Sequence, residues 1–282
     1  MNVLDGMQSA LNPQGPHAAV IAEITWVLIV GSAAIFAIVV AVALYALFGR
    51  RENTRRLSHK ALVVGGGIVF PLLVLSTLLV YSVVRAGALE AARDENVLRI
   101  EVIGEQWWWR VRYLDDGGRR DFETANEIHI PVGRPVEIAL QTGDVIHSFW
   151  VPSLAGKLDA IPGRINRLRI MADAPGAYRG QCAEYCGGPH ALMAFLVVAD
   201  APVRYAEWAA REREPAAQAV GSLAAAETLF LSRCAACHTI RGTAARGTLG
   251  PDLTHVGSRR AIAAGLLPAN AGTLGGWIAS SQ

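Results

Sequence analysis

The sequence predicts a membrane-anchored chain in three parts: two long apolar helices, an all-β domain of short strands, and a smaller helical segment carrying Cys-x-x-Cys-His. Three observations predict this. Two uncharged runs, each longer than about 18 residues, come first. Alternation of period two follows. The four cysteines fall in two close-set pairs, Cys182/Cys186 and Cys234/Cys237, and are not spread as in a disulfide framework. Of the 282 residues, 52% are hydrophobic and 18% charged, which is apolar for a soluble chain. A net charge of +2 implies no polyanion partner, nucleic acid included.

The first part is residues 1–95, with helices expected at about 20–48 and 61–86. Ile24 to Phe48 contains no charge. At about 1.5 Å per residue it spans ~37 Å, enough for a hydrocarbon core of ~30 Å with some tilt. Ala61 to Val84 is the second run; it carries Gly65-Gly66-Gly67 and Pro71, which membrane helices tolerate where neighbours re-satisfy the backbone. Arg50, Arg51, Arg55, Arg56 and Lys60 lie between the runs, and no Lys or Arg precedes Ile24. Excess Lys/Arg marks the cytoplasmic side, so both termini are expected on the outer face. Residues 1–23 have no basic n-region and no short apolar h-region, so no cleavable signal peptide is visible.

Residues 96–200 read as the β domain. Leu98, Ile100 and Val102 alternate with Arg99 and Glu101; Ile128 and Ile130 with Glu127 and His129; Val136, Ile138 and Leu140 with Glu137, Ala139 and Gln141. Asp115-Asp116-Gly117-Gly118, Pro131-Val132-Gly133 and Thr142-Gly143-Asp144 supply turns. Short strands with turn signals between them indicate a sandwich or barrel. Trp107-Trp108-Trp109 interrupts the alternation and suits packing or a membrane interface. His17, His59 and His129 read as surface or packing residues.

Within this domain, Gly180-Gln181-Cys182-Ala183-Glu184-Tyr185-Cys186-Gly187-Gly188-Pro189-His190-Ala191-Leu192-Met193 gathers two thiols, an imidazole and a thioether. Thiolate and thioether select soft metals, and copper uses all three donor types. An iron–sulfur cluster normally takes four thiolates. His147, in Asp144-Val145-Ile146-His147-Ser148-Phe149-Trp150, is the natural further imidazole, because a sheet can bring it alongside. Two cysteines in one short loop favour a bridged pair of coppers over one. The alternative is a Cys182–Cys186 disulfide or two idle thiols, which explains neither His190 nor Met193.

Residues 201–220 are rich in Ala, Glu, Arg and Pro and read as a short helix and linker. In residues 221–282, Glu227 to Arg233 reads as a helix entering Cys234-Ala235-Ala236-Cys237-His238. That pentapeptide is the c-type haem attachment motif: the two thiols add to the haem vinyls and the histidine ligates iron. Gly250-Pro251-Asp252-Leu253 follows at the distance where a proline backs the proximal imidazole.

The run from Asp144 to Met193 resembles the two-copper loop of cytochrome c oxidase subunit II. The likeness includes His147-Ser148-Phe149-Trp150-Val151-Pro152 and Lys157-Leu158-Asp159-Ala160-Ile161-Pro162-Gly163-Arg164. Thr239 to Arg260 is similar to the cytochrome c domain fused to subunit II in caa-type oxidases, and residues 8–16 resemble the start of mature bacterial subunit II chains, which leaves open that an earlier signal was removed. The resemblance implies a cupredoxin-like Greek key followed by a class I cytochrome c domain. It implies a dinuclear copper A centre on His147, Cys182, Cys186, His190, Met193 and the Glu184 carbonyl. The Glu184 carboxylate would help hold magnesium against subunit I. Trp107 matches the aromatic residue through which electrons from cytochrome c arrive, and Trp108 replaces the usual tyrosine. Asp159 and Arg164 would contact the catalytic subunit.

By the same resemblance the partners are oxidase subunits I and III, a donor cytochrome c or preceding respiratory complex, and the bilayer of a bacterial inner membrane. Oxygen reduction and proton pumping would occur in subunit I. One feature departs from the family: Met1, Met7, Met171 and Met193 are the methionines, so none follows His238. The haem fold is therefore expected to be cut short; otherwise its iron is five-coordinate or bound by His255. Three other functions are opposed by particular features. The intact ligand set argues against a copper-free quinol oxidase subunit. The hairpin and Glu184 argue against a free-standing electron carrier or copper-delivery protein. Chain length argues against a nitrous oxide reductase.

Overall fold

The structure, a computed structural model, describes residues 8–49, 60–90 and 96–280. Two compact units are present: residues 19–93, and residues 1–18 together with 94–282.

In the first unit, α1 (Pro16–Phe48) opens on Pro16, whose fixed φ suits the first helical position. It begins a few residues earlier than expected. The second helix begins with a π-helical segment, Ala61–Val69, in which Phe70 N–H reaches back to Gly65 O. The glycine triplet lies in this widened stretch, upstream of Pro71, and the helix continues as α2 (Phe70–Glu90). Both helices are long and apolar enough to cross a membrane, and Phe36, Leu47, Leu72 and Leu79 stand exposed along them. Glu23 links them: Tyr81 Oη donates to it at 2.6 Å, and Arg85 pairs with it. Residues 50–59, which carry most of the basic loop and His59, lie outside the described residues, as do Met1 and Met7.

The second unit centres on two five-stranded sheets. One has the order β3-β2-β1-β5-β8 and the other β4-β10-β9-β6-β7. The strands are β1 (Leu98–Glu105), β2 (Trp108–Leu114), β3 (Arg120–Ala125), β4 (Glu127–Pro131), β5 (Val136–Thr142), β6 (His147–Trp150), β7 (Leu158–Ala160), β8 (Asn166–Ile170), β9 (Gly176–Cys182) and β10 (Ala194–Asp200). β1 runs parallel to β5, and β4 parallel to β10. Alternation holds on β1 and β5, where every second residue is buried. Ile100, Val102, Trp109, Ile138, Leu140, Phe149, Tyr178 and Phe195 fill the space between the sheets. Trp109 meets Phe149 and Phe195 edge-on. Tyr113 Oη donates to His129 O and accepts from His129 N, which joins the two sheets.

β4 departs from the expected alternation, because all five of its residues are buried. The cause lies in 201–220, where a short helix ahead of a linker is expected. It contains α3 (Pro202–Arg213), whose Trp208 stacks on His129 with ring centroids 4.1 Å apart. Of the two expected settings, surface or packing, His129 takes the second. Its Nδ1 lies 2.7 Å from Asp200 and its Nε2 2.9 Å from Glu127. Burial disfavours its charge, but the two carboxylates outweigh this and raise its pKa.

The N-terminal residues strap this unit. Gln14 N donates to Ser153 O, Asp173 N to Gln14 O, and Ala18 N to Leu154 O. A Cβ on Gly15 would lie 2.1 Å from Met171 O, so only glycine fits there.

The last segment has α4 (Ser222–Arg233), the short pair β11 (Ala261–Ile262) and β12 (Leu267–Pro268), and α5 (Ala271–Ala279). α5 starts on a capping box made by Asn270 and Thr273.

Candidate metal centre

Antiparallel pairing of β6 with β9 sets Phe149 opposite Cys182, and Ala183 N donates to Ser148 O beyond it. This brings His147 across from the loop that follows Cys182. Cys182, Cys186 and His147 are all buried, with ligand atoms within 4.8 Å of one another. The Cys182 and Cys186 sulfurs are 3.8 Å apart. A disulfide needs about 2.05 Å, and both thiols are free. Two metal–thiolate bonds of about 2.3 Å each can span the gap. His147 Nδ1 is 3.9 Å from Cys182 Sγ, and His190 Nδ1 is 3.5 Å from Cys186 Sγ. Met193 Sδ is 3.9 Å from Cys186 Sγ, and Glu184 O is 3.3 Å from Cys182 Sγ. A 3₁₀ turn, Gly188–Leu192, folds His190 and Met193 back onto the loop.

Charge in the site is ordered. Burial pushes the Cys182 thiol up, but His147 and the backbone at Glu184 and Ser148 more than offset this and bring it down to about 6. Burial and the adjacent Cys182 charge push Cys186 up to about 12. His147 loses by burial but gains more from Cys182 and Asp144, so its pKa is raised. Ligands bind as thiolate and neutral imidazole, so loading the site releases protons.

Sequence reasoning missed the group that orients His147. Asp144 Oδ1 lies 2.9 Å from His147 Nε2, and the same oxygen accepts from Thr142 Oγ1 and Val145 N. Its Oδ2 accepts from Gln106 N at 2.7 Å. Burial disfavours the Asp144 carboxylate, but His147 and these amides hold it below its ordinary range. A carboxylate on one ring nitrogen leaves the other free for a metal. The available signal was an acidic residue three positions before the ligand. Opposite, Gly104 leaves room for the imidazole; a Cβ there would lie 2.7 Å from His147 Cδ2.

Trp107 touches the loop directly: its Nε1 donates to Cys186 O at 3.0 Å. Trp109 is buried against His147 with ring centroids 5.8 Å apart, whereas Trp108 lies under the Arg110 guanidinium. Tyr185 stands 75% exposed at the loop tip.

In the last segment His238 Nδ1 lies 2.9 Å from Pro251 O, which leaves Nε2 able to take a further ligand. Gly250 N donates to Cys237 O, and a Cβ on Gly250 would strike the His238 ring at 2.6 Å. His255 Nε2 lies 3.0 Å from Glu214 O, so a backbone carbonyl already occupies it.

The family model "Cytochrome C oxidase subunit II, periplasmic domain" matches residues 98–200, and the model "Cytochrome c" matches residues 223–277. Residues 98–200 thus form a domain of the cytochrome c oxidase subunit II family, with its cupredoxin fold, and a cytochrome c domain follows. The chain is 37% identical over 190 residues to cytochrome c oxidase subunit 2 of Alkalihalophilus pseudofirmus, covering 67% of this chain and 54% of the relative. It is 30% identical over 169 residues to the Arabidopsis thaliana protein of that name, covering 52% of this chain and 65% of the relative. Thus it spans a little over half to about two thirds of the length of these relatives. The crystal structure of the periplasmic domain of subunit II from Bradyrhizobium japonicum is 31% identical, covers 43% of this chain and 96% of that one, and has a TM-score of 0.40.

Proposed function

We propose that this chain is the electron-input subunit of a respiratory cytochrome c oxidase. It takes electrons from a cytochrome c, fused or external, at a dinuclear copper A centre and delivers them to subunit I, where oxygen is reduced with proton pumping. The observation that carries this is the ring of donors around Cys182 and Cys186, with sulfurs 3.8 Å apart and His147, His190, Met193 and Glu184 O about them.

That donor set fits copper: thiolate, imidazole and a weak thioether are the types it takes together. A copper pair held there would supply one-electron exchange. Cys182, Cys186, His147 and His190 would hold the ions, and Asp144 would keep His147 in one tautomer. Every donor would be supplied by the loop or by β6. Cys234 and Cys237 would hold haem c covalently, with His238 as its iron ligand oriented by Pro251 O. The half-buried Glu184 carboxylate would share magnesium with subunit I.

Residues 1–95 would anchor the chain by its hairpin in a bacterial inner membrane, beside subunits I and III. The copper domain, 96–200, and the cytochrome segment, 221–282, would then face the periplasm, joined by 201–220.

The test is metal analysis with electron paramagnetic resonance on the full chain in detergent. Two coppers per chain and a mixed-valence signal, both lost in Cys186→Ser, are expected. Zinc alone, or an unchanged signal in Cys186→Ser, would refute the reading.

A further inference from the structure

The cytochrome segment does not hang from its linker alone. It is fastened to the sheet unit at two places, each next to a predicted metal ligand. The first is Arg110 on β2. Its side chain is only 6% exposed, yet it is ionised and paired with Glu105 at 2.5 Å and Glu123 at 2.6 Å. The guanidinium also lies 4.7 Å from the Trp108 ring centroid. Two carboxylates and an indole hold it rigid, and its Nη2 donates to Thr248 O at 2.8 Å. A donor already immobilised loses little freedom when it makes one more bond.

Thr248 sits inside the loop that shapes the haem-attachment site. One residue before it, Gly247 N donates to His238 O; two after it, Gly250 N donates to Cys237 O. A Cβ on Gly247 would meet the Cys237 backbone at 2.4 Å. Pro251 O then takes the His238 ring. Whatever holds Thr248 therefore holds His238. At the other end of the same stretch, Trp107 is bonded to Cys186 O.

The second fastening is the turn Ala263-Ala264-Gly265, with φ of 51°, 54° and 77°. Alanine avoids this left-handed region and keeps it only where surrounding contacts over-determine it. The contacts are present. Ala194 N, next to Met193, donates to Ala264 O at 3.1 Å. Arg179 Nη1 donates to Gly265 O at 3.1 Å, and Arg260 N donates to Glu127 Oε2 at 2.7 Å. A Cβ on Gly265 would press on the Ala194–Phe195 backbone at 3.2 Å.

We propose that Arg110 is a positioning residue for electron transfer within this chain: by holding Thr248 O it fixes the loop around His238 relative to Trp107 and the copper loop. This rests on the relay reading above. Transfer from the attached haem then starts from one set pose and needs no diffusional encounter, so its rate is insensitive to ionic strength.

The test compares the full chain in detergent with Arg110→Lys and, at the second fastening, Arg179→Ala. Lysine keeps a cation between Glu105 and Glu123, but its compact ammonium cannot serve both carboxylates and the carbonyl. Hydrogen exchange at the Gly247 and Gly250 amides is expected to quicken about tenfold or more in Arg110→Lys, the size of one lost charge-assisted hydrogen bond. Arg179→Ala should quicken exchange at 263–265. After flash reduction of the haem, copper reduction should slow about tenfold in Arg110→Lys with the optical and magnetic spectra of each centre unchanged, and the parent rate should not vary with salt. Unchanged exchange or an unchanged rate in Arg110→Lys, or a parent rate that falls steeply with salt, overturns the proposal. Quickened exchange with no electron reaching copper even in the parent chain leaves the fastening standing and sinks the relay reading.

Discussion

Asp144→Asn tests the least obvious part of the metal centre. Four donors converge on this carboxylate: His147 Nε2, Thr142 Oγ1 and Val145 N on Oδ1, and Gln106 N on Oδ2. Asparagine has one acceptor oxygen. If that oxygen faces His147, its NH₂ opposes the Gln106 N–H; if it faces Gln106, its NH₂ opposes three donors. The first arrangement is cheaper and keeps a bond to His147, but a neutral one, about half as strong as the charge-assisted bond it replaces. Adding one unpaired donor at about 1–3 kcal/mol gives a loss of roughly tenfold to a hundredfold in copper affinity, the usual range when the partner of a ligating histidine is removed. Asp144→Ala removes all four bonds and should fall at the weak end. The assay is chelator competition on the full chain, with a thermal melt in chelator as the folding control. Copper affinity equal to the parent in both variants would show that His147 is oriented without Asp144.

Gly104→Ala puts a methyl 2.7 Å from His147 Cδ2. It should displace the imidazole and weaken copper at least tenfold, read by the same competition; parent affinity would contradict it. Gly250→Ala meets the His238 ring at 2.6 Å and should lower the yield of covalently attached haem, seen by haem staining of denatured chain. The His129 pKa is raised by Asp200 and Glu127 against burial. Its contribution to stability is therefore complete below the ordinary value of 6.5 and lost as pH rises through the higher folded value. The melting temperature should fall from pH 6 toward alkaline pH more steeply in the parent chain than in His129→Gln; parallel profiles would refute the linkage.

The hairpin, the strand alternation on β1 and β5, the copper loop and the Cys-x-x-Cys-His motif could all be read locally, because each is a pattern of residue types at short spacing. His129 could not. Its alternation with Ile128 and Ile130 suggested an outward side chain, and it is Trp208, distant in sequence, that covers it. The short helix in 201–220 was legible, but its packing on β3, β4 and β10 was not. Arg110 looked like an ordinary strand cation, and nothing near it in sequence announces Thr248.

Composition and spacing settle which atoms are on offer to metals: two sulfurs on one bend, a histidine and a methionine after them, a second thiol pair ahead of His238. Those follow from covalent neighbours alone. Which carboxylate turns His147, and where the cytochrome segment rests, depend on strand pairing and sheet stacking between residues far apart in the chain. Such contacts are chosen by the closure of the whole β sandwich, where β6 can lie beside β9 and Gly104 beneath His147 only once both sheets have formed.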